Sequence, residues 1–221
     1  MKQLVVALYA EGPTDARFLP RIIGRTAEHL LAGCDVDILD PIVINGDIHR
    51  LSTLPAQIVA AAQRTHGYHI LIVHQDADAP SEEAALRERI QPGLDAVRQQ
   101  LGAYQQTIIP LIPVRMVEAW MLSDPDALCR AIPGCSAPNA LGLPDKPQQV
   151  ERIQEPKAEL QRIVKIYGSR RRRCSQDSQL ARLQEPLANA IALPRLERVP
   201  SYQAFVQRFS QALRDLHFGD A

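Results

Sequence analysis

The 221-residue chain is short of several things. It has no net charge, because 25 Lys+Arg balance 25 Asp+Glu. Domains that bind polyanions are usually basic, so neutrality taken alone argues against a nucleic-acid partner. It has no apolar run near the roughly 20 residues that a membrane helix needs. Its four cysteines, Cys34, Cys129, Cys135 and Cys174, form no CxxC pair, and of its histidines only His66 and His69 lie close together. That spacing argues against a zinc ribbon or another His–Cys metal site. The apolar stretch at the start is too short for a signal peptide and runs straight into Glu11, so reduced thiols in a cytoplasm are the expectation. No GxxxxGK[ST] loop occurs, which weighs against a small-molecule phosphotransferase or phosphohydrolase.

What is present is an alternation of short β-branched runs with helical periodicity. KQLVVALY at 2–9 reads as a buried parallel strand. Pro13, Thr14 and Asp15 suit the start of a helix carrying Phe18, Leu19, Ile22 and Ile23, which Pro20 is expected to kink. DILDPIVI at 37–44 reads as a second strand with Pro41 at its edge, and 54–62 as a helix. HILIVH at 69–74 is the third strand, and Ser81 suits the N-cap of a helix reaching Leu101. TIIPLIP at 107–113 is the fourth strand, followed by helices over 115–123 and 125–131. The pattern predicts an α/β domain over residues 1–132 with a Rossmann-like, mostly parallel sheet flanked by helices. Residues 133–150, rich in Pro, Gly, Ala and Asn, read as a connection. Residues 151–221 read as a helical C-terminal segment packing on that domain, with Phe205, Phe209, Leu213 and Leu216 in one stripe.

Acidic residues fall at the predicted strand ends: Glu11 and Asp15 after the first, Asp76 and Asp78 after the third, Glu118 after the fourth. Neighbouring strands lie about 5 Å apart, and in parallel sheets the chemistry sits beyond their C-terminal ends. Carboxylates gathered there raise one another's pKa unless a cation joins them. Hard oxygen donors suit Mg²⁺ or Mn²⁺, and such ions activate water and stabilise charge on a phosphoryl group. Capping serves Asp15 and Glu82 equally well, and Asp76 alone also suits a turn. A DxD after a strand also occurs in glycosyltransferases and aspartate-based phosphatases. The phosphatase version follows the first strand and continues with Thr or Val, whereas here Ala79-Pro80 follow.

The motifs carry a resemblance. EGPTD at 11–15 resembles the glutamate motif of TOPRIM domains, the module shared by topoisomerases, primases and OLD-family nucleases, and DAD at 76–78 resembles its DxD motif. PVRMVEAWMLSD at 113–124 resembles the EAWLLAD signature of the bacterial family called domain of unknown function 4276. Glu155-Pro156-Lys157, Leu160 and Tyr167 resemble that family's PK..L helix, and Pro200–Phe205 its closing segment. The likeness spans nearly the whole chain. It implies a TOPRIM-like fold in which two divalent ions, Mg²⁺ or Mn²⁺, serve phosphodiester cleavage. Residue by residue, it implies Glu11 as a metal ligand or general acid/base, Asp76 and Asp78 as metal ligands, and Glu118 as a further ligand for a second ion. Asp15 stands where the family's EGxTE pattern has a longer Glu. Lys157 is implied at the scissile phosphate. The resemblance also implies an ATPase partner encoded alongside in phage defence.

Residues 152–182 hold nine Lys or Arg and only three Asp or Glu, including the run Arg170, Arg171, Arg172 and Arg173. A solvated loop accounts for such a run. Beside a phosphodiesterase it suits DNA backbone contacts, which release counterions, and Arg115 is a second candidate for that role. Trp120 and Tyr167 suit stacking, but the apolar faces they share favour core positions. The segment's net charge of +6 leaves the remainder at −6, so overall neutrality is a cancellation and does not exclude a polyanion. The expected activity is a divalent-metal-dependent endonuclease acting on DNA. The alternative is a non-catalytic TOPRIM-like module that binds nucleic acid or a partner ATPase.

Overall fold

The computed structural model describes residues 2–12, 14–102, 107–167 and 176–219. Strands β1 (Lys2–Leu4) and β2 (Val6–Tyr9) are separated only by Val5, whose N–H donates to His69 Nδ1 at 3.1 Å. β1 pairs with β3 (Val36–Ile38), and β2 with both β4 (Ile42–Val43) and β5 (Ile70–His74). β5 pairs in turn with β6 (Thr107–Leu111), and every ladder is parallel. The strand expected over 37–44 is divided around Pro41, which has no N–H to give a ladder. The Leu39 N–H to Leu4 and the Ile44 N–H to Leu8 keep both halves beside the first strand.

Register fixes where the chain leaves the sheet. Tyr9 lies opposite Val73, and His74 opposite Leu111. The ends of β2, β5 and β6 are therefore level, and Glu11, Asp76 and the segment leading to Glu118 emerge at one edge.

Helices cover both faces, as the α/β pattern requires. Helix α1 (Asp15–Leu30) runs through Pro20, which sits near its start, and buries Phe18, Leu19, Ile22 and Ile23. It shares one core with Leu4, Leu8, Ile70, Ile72 and Leu111 of the sheet. The opposite face carries Ala7, Tyr9, Leu71 and Val73, as the two-residue period of a strand dictates. Against them packs α2 (Leu54–Arg64), whose N-terminus is capped by Thr53 accepting the Ala56 N–H. After β5 come α3 (Glu83–Ala85), a π-helical turn over Leu86–Ile90, and α4 (Gln91–Leu101). The Ser81 N-cap expected from the sequence is not used; Glu82 occupies the cap position without a side-chain cap bond.

Beyond β6 lie α5 (Glu118–Met121), α6 (Pro125–Ala131), α7 (Pro156–Tyr167), α8 (Gln176–Ala190), α9 (Leu193–Leu196) and α10 (Pro200–Asp215). The helix expected over 115–123 is only the four-residue α5, because Arg115 adopts a left-handed φ of 64°. The 133–150 stretch holds short 3-10 turns that send Leu141 and Val150 into the core. Leu160, Ile163, Leu187, Phe205 and Phe209 from the later helices enter the same core as α1. Cys129 and Cys135 are joined as a disulfide around the 133–134 turn, where the sequence leads one to expect thiols. Among the described residues, no helix is long and apolar enough to cross a membrane.

The α2–α4 contact depends on Gly93, where a Cβ would lie 2.4 Å from Ile58 Cδ1. Gly93→Ala should destabilise the protein by about 1–3 kcal/mol through overpacking. Ile58→Ala in the same chain should remove part of that cost, giving a non-additive pair. Urea unfolding of the two single variants and the double variant measures both effects.

Candidate functional site

The site is built around the last residue of β5. His74 is fully buried, and its two ring nitrogens face different strand ends. The Glu11 N–H donates to Nδ1 at 3.3 Å, and Nε2 lies 3.3 Å from Asp76 Oδ1. A donor aimed at Nδ1 leaves the proton of the neutral ring on Nε2, facing Asp76. Asp76 Oδ1 also accepts the Val117 N–H at 3.0 Å, and the Asp76 N–H donates to Glu11 Oε2 at 2.8 Å. The loops after β2, β5 and β6 are thereby stitched to one another. From the β4 side, Asn45 Oδ1 accepts the Ala10 N–H at 2.9 Å. Asp15, buried on the first turn of α1, accepts the Gly12 N–H at 3.0 Å and lies 3.8 Å from His74 Nδ1.

Glu118 follows Val117 directly, so the bond from Val117 to Asp76 sets its place, and its side chain is buried. Burial pushes its carboxyl up to about 7; the charges of Asp76 and Asp15 add to the rise, while its own N–H and the Lys157 ammonium oppose it. Asp15 is pushed up to about 6, first by burial and then by the charges of Asp76 and Glu11, against the pull of His74 and the Gly12 N–H. Burial disfavours a charged His74. The hydrogen bond and charge of Asp76, with the charges of Asp15 and Glu11, outweigh it, so the net direction is upward. Four carboxylates and one imidazole thus share one electrostatic neighbourhood, and the charge of Lys157, second residue of α7, acts on Glu118 within it.

Other expected site residues lie apart. Asp78 has a left-handed φ of 51°, and its Oδ2 is 3.2 Å from Arg89 Nη1. Arg89 sits in the π-helical turn and also donates to the carbonyls of Asp76 and Ala77. Arg115 lines a cleft with Pro80, Arg152 and Pro200. Arg170, Arg171, Arg172 and Arg173 lie outside the described residues. Glu82 does not cap α3 with its side chain; its carboxylate takes the Arg208 guanidinium of α10.

Two contributors escaped the sequence reading. His74 looked like the polar end of an apolar strand, although its place two residues before Asp76 was a usable signal. Arg89 was one of many helix-surface arginines, and only the π-helical winding aims it at the loop.

The segment after Glu118 is structural. The Trp120 indole N–H donates to Ser201 Oγ at 2.8 Å, and its ring meets Tyr202 edge-on with centroids 5.2 Å apart. Asp124 caps α6 through the Ala127 N–H and accepts the Ala192 N–H at 3.0 Å. Trp120 is therefore core, as expected from its apolar neighbours.

Residues 10–210 match the family described as domain of unknown function (DUF4276). The chain belongs to the DUF4276 family. No curated protein and no solved structure matches it. In this DUF4276 chain the carboxylate oxygens, with Asp15 and Glu118 shifted upward, suit a hard divalent cation in donor type and charge. Their present arrangement is looser than a ligand cage: among the described residues, no three Asp, Glu, His or Cys side chains stand ready to hold a metal ion.

The pH dependence of stability follows from Glu118. Its folded pKa of about 7 exceeds the usual 4.5, so the associated stabilisation is fully present below about pH 4.5 and is lost as pH rises through 7. In chelator, Glu118→Gln should leave stability near wild type at pH 5 and raise it at pH 8. The gain is on the order of 3 kcal/mol. Urea melts at the two pH values check this, and equal effects at both would refute the assignment.

Proposed function

We propose that this chain is a divalent-metal-dependent phosphodiesterase acting on DNA, related in fold and chemistry to TOPRIM and OLD-type nucleases. The observation that carries the reading is the meeting of Glu11, Asp15, Asp76 and Glu118 around His74 at the C-terminal edge of a parallel sheet. The order of its acids, a glutamate after the first strand and a DxD after β5, supports the TOPRIM comparison.

Glu11, Asp76 and Glu118, with Asp15 behind them, are the residues that would hold Mg²⁺ or Mn²⁺. The cation supplies Lewis acidity toward phosphoryl oxygens and a lowered pKa for water. Glu11 is the exposed member of the set, and in this reading it accepts a proton from the attacking water. Lys157, whose charge reaches Glu118, neutralises the scissile phosphate. His74 acts on position, holding the Glu11 backbone and the Asp76 carboxylate. Asp78 is engaged by Arg89 and stays outside this ligand set. The arginines at 170–173 remain candidates for the DNA backbone.

One observation favours the second reading, a non-catalytic module that binds nucleic acid or a partner ATPase: no three ligands stand ready for a metal among the described residues. Calorimetric titration with Mn²⁺ separates the two, since a binding module without a metal site gives no heat. In a plasmid-nicking assay with Mn²⁺, Glu11→Gln and Asp76→Asn should each reduce cleavage by about 10²-fold or more while circular dichroism stays native. Full cleavage by both variants would refute the phosphodiesterase reading.

A further inference from the structure

A cleft of about 480 Å³ is walled by Pro80 after the DxD loop, by the Arg115 turn, by the 148–154 segment and by Pro200. Its volume falls in the range of small-molecule sites. Arg115 is the best-fixed group in it. Its φ of 64° and the φ of 51° at Asp78 are both left-handed, a conformation costly for residues with a side chain. The two residues are locked together: the Asp78 N–H donates to the Arg115 carbonyl at 2.9 Å, and the Arg115 N–H donates to Ala79 at 3.1 Å. Arg115 lines the cleft from this turn. Its Nε is buried without a hydrogen-bond partner, an unfavourable state for a charged donor unless an acceptor arrives.

The rest of the lining suits one kind of acceptor. Arg152 supplies a second guanidinium, and among the described residues neither Arg115 nor Arg152 makes an ion pair. Two guanidinium forks match a phosphate. Gln148 and Gln154 present carboxamides, which pair with the donor and acceptor edges of bases, and Pro80 and Pro200 give flat apolar faces. Glu151 is the one acid in the wall; its carboxylate is tied back by the Ser201 N–H at 2.9 Å. The cleft therefore offers two cations for a phosphate, two amides for a base, and apolar surface for the ring between them.

We propose that this cleft is a subsite for a nucleoside 5′-phosphate, either free or as the end unit of a strand. The inference rests on the phosphodiesterase reading for its biological sense, because Arg115 stands three residues before Glu118 and its turn shares the DxD loop. A nucleotide held there would sit next to the carboxylates that act on the neighbouring phosphodiester.

Binding is measured in EDTA, so that the carboxylates' chemistry is silent. Thymidine 5′-monophosphate should bind the wild-type chain at least 10-fold more tightly than thymidine does. Arg115→Gln should weaken that binding about 10-fold or more, and Arg152→Gln should weaken it in the same direction. A 5′-phosphorylated oligonucleotide that binds more tightly than the mononucleotide assigns the subsite to a strand end, and the reverse order assigns it to a free nucleotide. Phosphate-independent binding, or binding unchanged in both variants, would overturn the proposal. Nicking that survives such a result leaves the phosphodiesterase reading standing. Nucleotide binding that persists in a chain without nicking activity keeps the subsite and removes that reading.

Discussion

A single imidazole at the end of the central strand takes the N–H of Glu11 on one side and the carboxylate of Asp76 on the other. Those contacts are possible because β2 and β5 are parallel neighbours in a register that levels their ends. Asp76 then reaches across to the Val117 N–H and fixes the segment that bears Glu118. The acidic cluster is thus a consequence of strand order. In another order, Glu11 and Asp76 would leave the sheet too far apart to meet on one ring. The energetic cost is visible in the carboxyls, since burial and mutual charge lift Asp15 to about 6 and Glu118 to about 7. A protein that buries two members of such a cluster, Asp15 and Glu118, holds a standing attraction for positive charge, to which the Lys157 ammonium contributes at Glu118.

The stretch from Glu118 to Asp124 divides its labour along seven residues. Glu118 faces the acids, Trp120 packs into the core with Ser201 and Tyr202, and Asp124 caps the next helix while holding the Ala192 N–H. The two family segments that looked like separate signatures, 113–124 and 200–205, are one packing unit. Trp120 and Asp124 anchor the stretch that begins with Glu118, and Arg115, just ahead of it, lines the neighbouring cleft.

Much of this was legible in the sequence because periodicity reports burial. Leu71 and Val73 alternate with Ile70 and Ile72 between two covered faces, so a continuous apolar run read correctly as a buried parallel strand. Phe205 and Phe209 likewise marked the core face of α10. The placement of Glu11, Asp76 and Glu118 at one edge followed from parallel topology alone. What periodicity does not encode is direction within a loop. The left-handed backbone at Asp78 and Arg115 carries no glycine to announce it, and the pairing of the Asp78 carboxylate with Arg89 is not readable from the DxD spacing. His74 was hidden for the opposite reason: a polar residue closing an apolar strand resembles a boundary, and only the neighbouring strand end gives it a role.

The contacts that set Glu118 also set a timetable. The indole N–H of Trp120 waits for Ser201, and the carboxylate of Asp124 waits for the N–H of Ala192. Lys2 on the first strand bonds the carbonyl of His217, and His69 meets Phe218 edge-on. Contacts of such long sequence separation form only after intervening chain has been made, and their closure is slow. The bonds among Glu11, His74, Asp76 and Val117 can therefore close within the α/β half, while the stretch behind Glu118 gains its packing partners only once α9 and α10 have been made.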